Sequence, residues 1–229
     1  MEILPNDPGP IYAETQMGRF PVEPWNTVSN FIFLAIILYY VIRLRSELKH
    51  YPVLVFSLLL LTVGFVGGSL YHTTRSHVLW FALDWVTILV LALIAGLYFW
   101  QRLFSNWTKT LRAVCLFLGL AKLIELAPGM PKDMKVSASY CILALSILLP
   151  ALLHCLRVNR SDYFNLVCFL VAFAMAVFCR QMDMSVVNAL LPLESHFLWH
   201  LFGGTSTFFL FHYIYCSEKL FADKKYIFV

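Results

Sequence analysis

The stretch PVLVFSLLLLTVGFVGGSLYH, residues 52–72, decides how this chain is to be read. It runs twenty-one residues without an Asp, Glu, Lys or Arg and ends on a histidine. An α-helix rises about 1.5 Å per residue, so about 20 apolar residues cross the ~30 Å hydrocarbon core of a bilayer. The stretch therefore reads as a spanning helix whose last turn carries a polar group. Similar apolar runs lie at about 27–44, 78–100, 112–127, 136–156, 163–180 and 194–216, which makes seven in all. The run at 112–127 is the shortest, holds Lys122 and Glu125, and ends before Pro128 and Gly129.

Composition agrees with lipid as the solvent. Hydrophobic residues are 60% of the chain and charged residues 13%, against roughly 25% charged in soluble domains. Mean hydropathy is +0.75. A net charge of +4, with Lys and Arg spread over short loops, excludes a nucleic-acid binder. Residues 1–26 are polar and rich in proline, without the apolar core of a signal peptide, so the first helix is expected to act as its own insertion signal. The six cysteines form no CxxC pair and read as small buried hydrophobes. The expected architecture is an all-α integral membrane protein, a seven-transmembrane helix bundle. It forms one domain over 1–229, with a polar N-terminal segment at 1–26 and a cytosolic tail at 217–229.

Loop charge sets the expected orientation. Eleven Lys and Arg fall on one side, among them Arg43, Arg102, Arg157, Arg160 and Lys225. Five fall on the other: Arg19, Arg75, Lys132, Lys135 and Arg180. The positive-inside rule then puts the N-terminus outside or in a lumen and the C-terminus in the cytosol.

Ionisable groups within spanning segments mark function by default. His72 ends the second run, Asp84 lies about two turns into the third, Arg180 and Asp183 close the sixth, and His196 and His200 open the seventh. In an up-down bundle all of these reach the outer end. His196 and His200 are four apart, which stacks two imidazoles on one helix face. They read either as hydrogen-bonded interfacial histidines or as half of a zinc site that His72 completes, with a fourth position left open. Ser69, beside Gly67 and Gly68, is either a small packing residue or a hydroxyl aimed at the site. Asp84 is either an ion-pair partner of Arg75 or Arg180, or a carboxylate that accepts a proton from a metal-activated water. Arg180 and Asp183, three apart, can pair with each other.

Several strings together resemble the alkaline ceramidase family. They are Glu23-Pro24-Trp25-Asn26-Thr27-Val28-Ser29-Asn30 at the start of the first helix, Gly68-Ser69-Leu70-Tyr71-His72-Thr73-Thr74 followed by Asp84, and His196-Phe197-Leu198-Trp199-His200 followed by Gly203 and Gly204. The pattern covers about residues 13–216. The wider superfamily of seven-helix hydrolases includes the adiponectin receptors. The resemblance implies an amidase that cleaves the N-acyl bond of ceramide to sphingoid base and fatty acid. Zinc would be held by His72, His196 and His200, with Ser69 and Asp84 close to the attacking water. It also implies a calcium site to which Glu14 and Glu23 would contribute. Two hard oxygen ligands fall short of the about six to eight that calcium takes, so weak or no calcium dependence is expected. The chain departs from the family pattern in three places. Gly68 stands four residues before the histidine where the family has serine, Asp84 follows His72 by twelve residues, one more than the pattern, and the family's Cys-Glu pair reads Ala13-Glu14. A seven-helix lipid receptor that keeps a structural zinc is the alternative. A transporter or proton relay using the buried Asp and His is disfavoured, because the sequence shows no inverted repeats or broken-helix signals in matched halves.

Overall fold

The computed structural model describes residues 5–158, 162–183 and 195–227, and these residues form helices and no strand. Helix α1 (Pro24–Ser29) runs through Asn30 into α2 (Phe31–Leu44). Asn30 keeps right-handed helical angles (φ −61°, ψ −22°), so the two make one rod. There follow α3 (Pro52–Thr74), α4 (Val78–Phe104), α5 (Trp107–Leu126), α6 (Lys132–Val158), α7 (Tyr163–Asp183) and α8 (His196–Ile227). Local sequence explains several ends. Pro24 and Pro52 sit in first turns, where a missing N–H costs nothing. Asn106 caps α5, its Oδ1 accepting from the Lys109 N–H at 3.0 Å. Pro128 bars the continuation of α5.

Five segments are long and apolar enough to cross a membrane: Pro24–Leu44, Pro52–Thr74, Val78–Phe104, Met134–Arg157 and Tyr163–Met182. The other two expected spans are helical but more polar. Helix α5 carries Lys109, Arg112, Lys122 and Glu125, the last two joined at 2.7 Å on an exposed face. Helix α8 is diluted by His196, His200, His212 and the run Gly203–Thr207. Several helices run beyond the expected apolar runs: α5 begins at Trp107 and α6 at Lys132. Helix α4 continues to Phe104, and α8 continues to Ile227, so the expected tail is helical. Ser217 and Glu218 are in fact buried, because no glycine or proline stops the helix before them. The cysteines are all free. Cys155 and Cys179 are buried as expected, while Cys115 and Cys141 are exposed. Arg160 lies outside the described residues, as does the side chain of Asp183.

Helix α8 is the axis of the bundle. Helix α7 packs along it, α2 sits against both α3 and α8, and α1 bridges the same two helices. One buried cluster joins α4, α6, α7 and α8 around Phe99, Ala151 and Ile214; another joins α2, α3 and α8 around Tyr40, Leu54 and Phe211. Outward-facing Leu38, Phe56, Leu59, Leu123 and Phe178 are exposed. Burying such side chains from water is worth ~1.5–3 kcal/mol each, so a bundle that leaves so many outside is built for an apolar surround. The helix order brings the C-terminal ends of α3 and α7 and the N-terminal ends of α4 and α8 to one end of the bundle.

Helices α3 and α4 pack closely at Gly67. A Cβ there would collide with the Leu83 Cβ and lie 3.1 Å from the Leu83 carbonyl carbon. Gly119 on α5 has nothing within 4 Å of a Cβ. Gly67→Ala is expected to destabilise by ~1–3 kcal/mol through overpacking. Gly119→Ala should be neutral or stabilise by up to ~1 kcal/mol through helix propensity. Melting temperatures of the two detergent-purified variants check this, and equal shifts would contradict the packing.

Candidate metal centre

His72, from the end of α3, meets His196 and His200, from the first two turns of α8. Each presents a ring nitrogen within 4.8 Å of the other two. All three side chains are buried. Among the described residues this is the one group of three or more His, Cys, Asp or Glu arranged to hold a metal ion. Tetrahedral zinc, with Zn–N of about 2.0–2.1 Å, sets its nitrogens about 3.4 Å apart, so a small contraction brings the three into register.

The hydrogen bonds around the rings set two tautomers. His72 Nδ1 lies 2.5 Å from Glu23 Oε2. A carboxylate only accepts, so Nδ1–H donates and the Nε2 lone pair is left over. That Nε2 is buried and has no hydrogen-bond partner. An orphaned buried acceptor is costly unless something binds it, and a metal ion is the partner that its two imidazole neighbours can share. His200 Nδ1 lies 2.7 Å from Ser29 Oγ. The Ser29 hydroxyl gives its one hydrogen to the Asn26 carbonyl at 3.0 Å, so it accepts from His200 Nδ1–H, and His200 Nε2 is the ligand atom. This is the outer-shell pattern that orients metal-binding histidines. Tyr12, from the N-terminal segment, stacks on His196 with ring centroids 4.0 Å apart and covers that ligand.

Glu23 and Glu14 serve this scaffold rather than forming a cation cage. Glu23 is fully buried; beside His72, its other oxygen accepts from Arg75 Nη1 at 2.5 Å and from Thr15 Oγ1 at 2.6 Å. Burial alone would push its carboxyl up, but the hydrogen bond from His72 and the charge of Arg75 hold it below the usual carboxylate range. Glu14 caps α1: its two oxygens accept the N–H groups of Trp25 and Asn26, both at 2.8 Å. The calcium role that the resemblance implied for the pair meets carboxylates already taken up by donors.

Arg75 does not pair with Asp84. Its Nε and Nη2 take both oxygens of Asp7, at 2.9 and 2.7 Å, and its Nη1 takes Glu23. Among the described residues neither Arg75 nor Arg180 forms an ion pair with Asp84. Asp84 instead reaches the metal end through a gap at Gly68, where a Cβ would collide with Asp84 Oδ1 and stand 2.9 Å from Asn30 Nδ2. Ser69 Oγ is buried and without a hydrogen-bond partner. His77 caps α4, accepting from the Leu79 N–H, and His154 pairs with the Tyr213 hydroxyl at 3.1 Å inside the other half of the bundle; neither belongs to the site. An apolar cavity of roughly 130 Å³ lies along α4 and α8, lined by Ile88, Ala92, Leu143, Phe173, Gly203 and Leu210, among others; no triad histidine lines it, but Trp199 and Gly203 bring it within a turn of His200.

Sequence reasoning missed Ser29, Asn30 and Tyr12. Ser29 and Asn30 stand in a quoted string, but their partners are distant in sequence: Ser29 and His200 are 171 residues apart. Comparison with protein-family models and with curated proteins finds no match.

Because Glu23 fixes the His72 tautomer, Glu23→Gln is expected to weaken metal affinity by roughly 10–100-fold. Glu14→Gln, whose carboxylate caps α1 through bonds that involve none of His72, His196 or His200, should leave it within about threefold. Competition with a chelator on purified protein measures both, and an unchanged Glu23→Gln affinity would show that the carboxylate does not support the ligand.

Proposed function

We propose that this chain is a seven-span membrane zinc hydrolase of the alkaline ceramidase type, cleaving the N-acyl bond of ceramide or a related lipid amide. The observation that carries the reading is the buried triad of His72, His196 and His200, two of them held in metal-binding tautomers, in a bundle that also holds an apolar cavity within a turn of His200. Three neutral imidazoles with room for one more ligand are a donor set that suits catalytic zinc. The strings from Glu23 to Asn30, Gly68 to Thr74 and His196 to His200 add the family resemblance, and five spanning-length helices add the membrane.

When bound, zinc would polarise the amide carbonyl and acidify a water. The remaining steps fall to the chain's own residues. Asp84 accepts a proton from the water as its oxygen adds to the carbonyl carbon. Asp84 then returns that proton to the amide nitrogen as the C–N bond breaks, leaving a fatty acid and a sphingoid base. Ser69 Oγ, with no other partner, is free to donate to the carbonyl oxygen. Glu23 and Ser29 keep the imidazoles oriented throughout. The apolar cavity takes the acyl chain, so substrate enters from the bilayer with its amide at the level of the triad.

About one zinc per chain is expected in metal analysis of the purified protein. His200→Ala should lose both metal and hydrolysis. Asp84→Asn should keep most of the metal but lose turnover by ~10²–10⁴-fold, because an amide cannot accept the proton. His212→Ala, stacked on Phe208 further along α8, is the control and should change neither. Full occupancy in His200→Ala would remove the ligand set, and full activity in Asp84→Asn would remove the proton-transfer role.

On the seven-span reading, the loop charges favour Glu14 outside or in a lumen and Lys225 in the cytosol. Tags at the two termini should be accessible from opposite faces of sealed vesicles. Accessibility from one face would overturn the seven-span reading.

A further inference from the structure

Arg180 stands in the last turn of α7. Its guanidinium lies 5.3 Å from the ring centre of Tyr140 and 5.7 Å from that of Trp199. Among the described residues it has no hydrogen-bond or ion-pair partner. Trp199 stands directly before His200 on α8, which sets the guanidinium near the metal centre. Tyr140 and Trp199 are also lining residues of the apolar cavity. The cation therefore lies against two residues of the cavity wall. A guanidinium in the end of an apolar bundle is costly without an anion, and contact with two aromatic faces offsets only part of that cost.

We infer that Arg180 is a carboxylate-recognition residue, holding the head group of a long-chain fatty acid whose tail lies in the cavity. The cavity walls are aliphatic and aromatic, with Ile88, Leu143 and Phe173 beyond the mouth, so they suit an alkyl tail. Stacking against two rings fixes the plane of the guanidinium, and a planar fork matches a carboxylate through two parallel N–H···O bonds. The choice of a fatty acid rests on the amidase reading, in which that acid is the product released beside the triad. Arg180 then draws the new carboxylate away from the metal position, and product leaves from the arginine.

Equilibrium binding of palmitate and of hexadecanol to the full-length protein in nanodiscs, corrected for empty discs and at a pH where the acid is ionised, tests this. The wild type is expected to prefer palmitate. Arg180→Gln should weaken palmitate binding by about tenfold or more and change hexadecanol binding by less than about twofold. Arg180→Lys, which keeps the charge but not the fork, should fall between. Unchanged palmitate binding in Arg180→Gln would overturn the inference, and so would an equal loss for acid and alcohol, which marks a purely structural arginine. In His200→Ala the palmitate preference should survive. Its loss there, with Arg180→Gln unaffected, would give the anchor to the metal instead. Because this readout needs no turnover, a protein that hydrolyses no amide still answers the question.

Discussion

The Glu23 carboxylate is the point on which the rest of the site depends. It has no exposure, and its two oxygens are shared among His72, Arg75 and Thr15. One negative charge thereby sets the tautomer of a ligand, neutralises part of a buried guanidinium and ties the N-terminal segment to the end of α3. Removing one member of such a group leaves an uncompensated buried charge, which costs several kcal/mol. The backbone registers the demand. Arg75 caps α3 in the left-handed region at φ 48°, a conformation that a residue with a Cβ seldom adopts. From there its side chain grips Asp7 through two nitrogens and Glu23 through a third, so the strain is held in place by charge-assisted bonds.

Much of the helical frame was legible because periodic apolar runs separated by proline and charge carry that information locally. The end of α8 was not legible, since the switch to Ser217, Glu218 and Lys219 looks like a tail until the buried faces of Ser217 and Glu218 are seen. The triad was legible for a similar reason. The i, i+4 pair on α8 is a local pattern, and the depth of His72 in its own helix left it as the histidine able to reach that pair. What was not legible was every contact between distant segments. Asp84 was weighed as the partner of Arg75, yet Arg75 lies in the turn after α3 and meets Asp7, from a proline-rich segment whose path no periodicity predicts. Glu14 and Glu23 were weighed as calcium ligands by resemblance, and only the folded segment reveals that one caps a helix and the other orients an imidazole.

Helix α8 explains why ligands and packing coincide. It shares residues with both buried clusters, and its first two turns carry His196, Trp199 and His200. Metal ligands need fixed rotamers, which are best supplied by the packed face of a rigid helix, and His196 and His200 are both buried on α8. The same burial excludes a competing ligand such as bulk water from two of the imidazoles, whose Nδ1 atoms are committed to Glu23 and Ser29. Short helix α1 completes the arrangement by bridging α3 and α8. Its Ser29 reaches the ligand on α8, and Glu23, just before it, reaches the ligand on α3.

The position of the serine follows from helix geometry. With about 100° of rotation per residue, position 68 falls about 40° to one side of His72 as seen down α3, and position 69 about 60° to the other. A serine at 69 is therefore no substitute for a side chain at 68, since the two flank the ligand on opposite sides. The flank at 68 is not empty here. Glycine leaves it open, and the Asp84 carboxylate stands where a Cβ would otherwise intrude, with the Asn30 amide beside it. A carboxylate brought this close to α3 requires the glycine. Ser69 Oγ, left without a partner on the far flank, is separated by His72 from the carboxylate. Asp84 and Ser69 thus lie on opposite flanks of His72, so a carboxylate and an unpartnered hydroxyl border that imidazole from two directions.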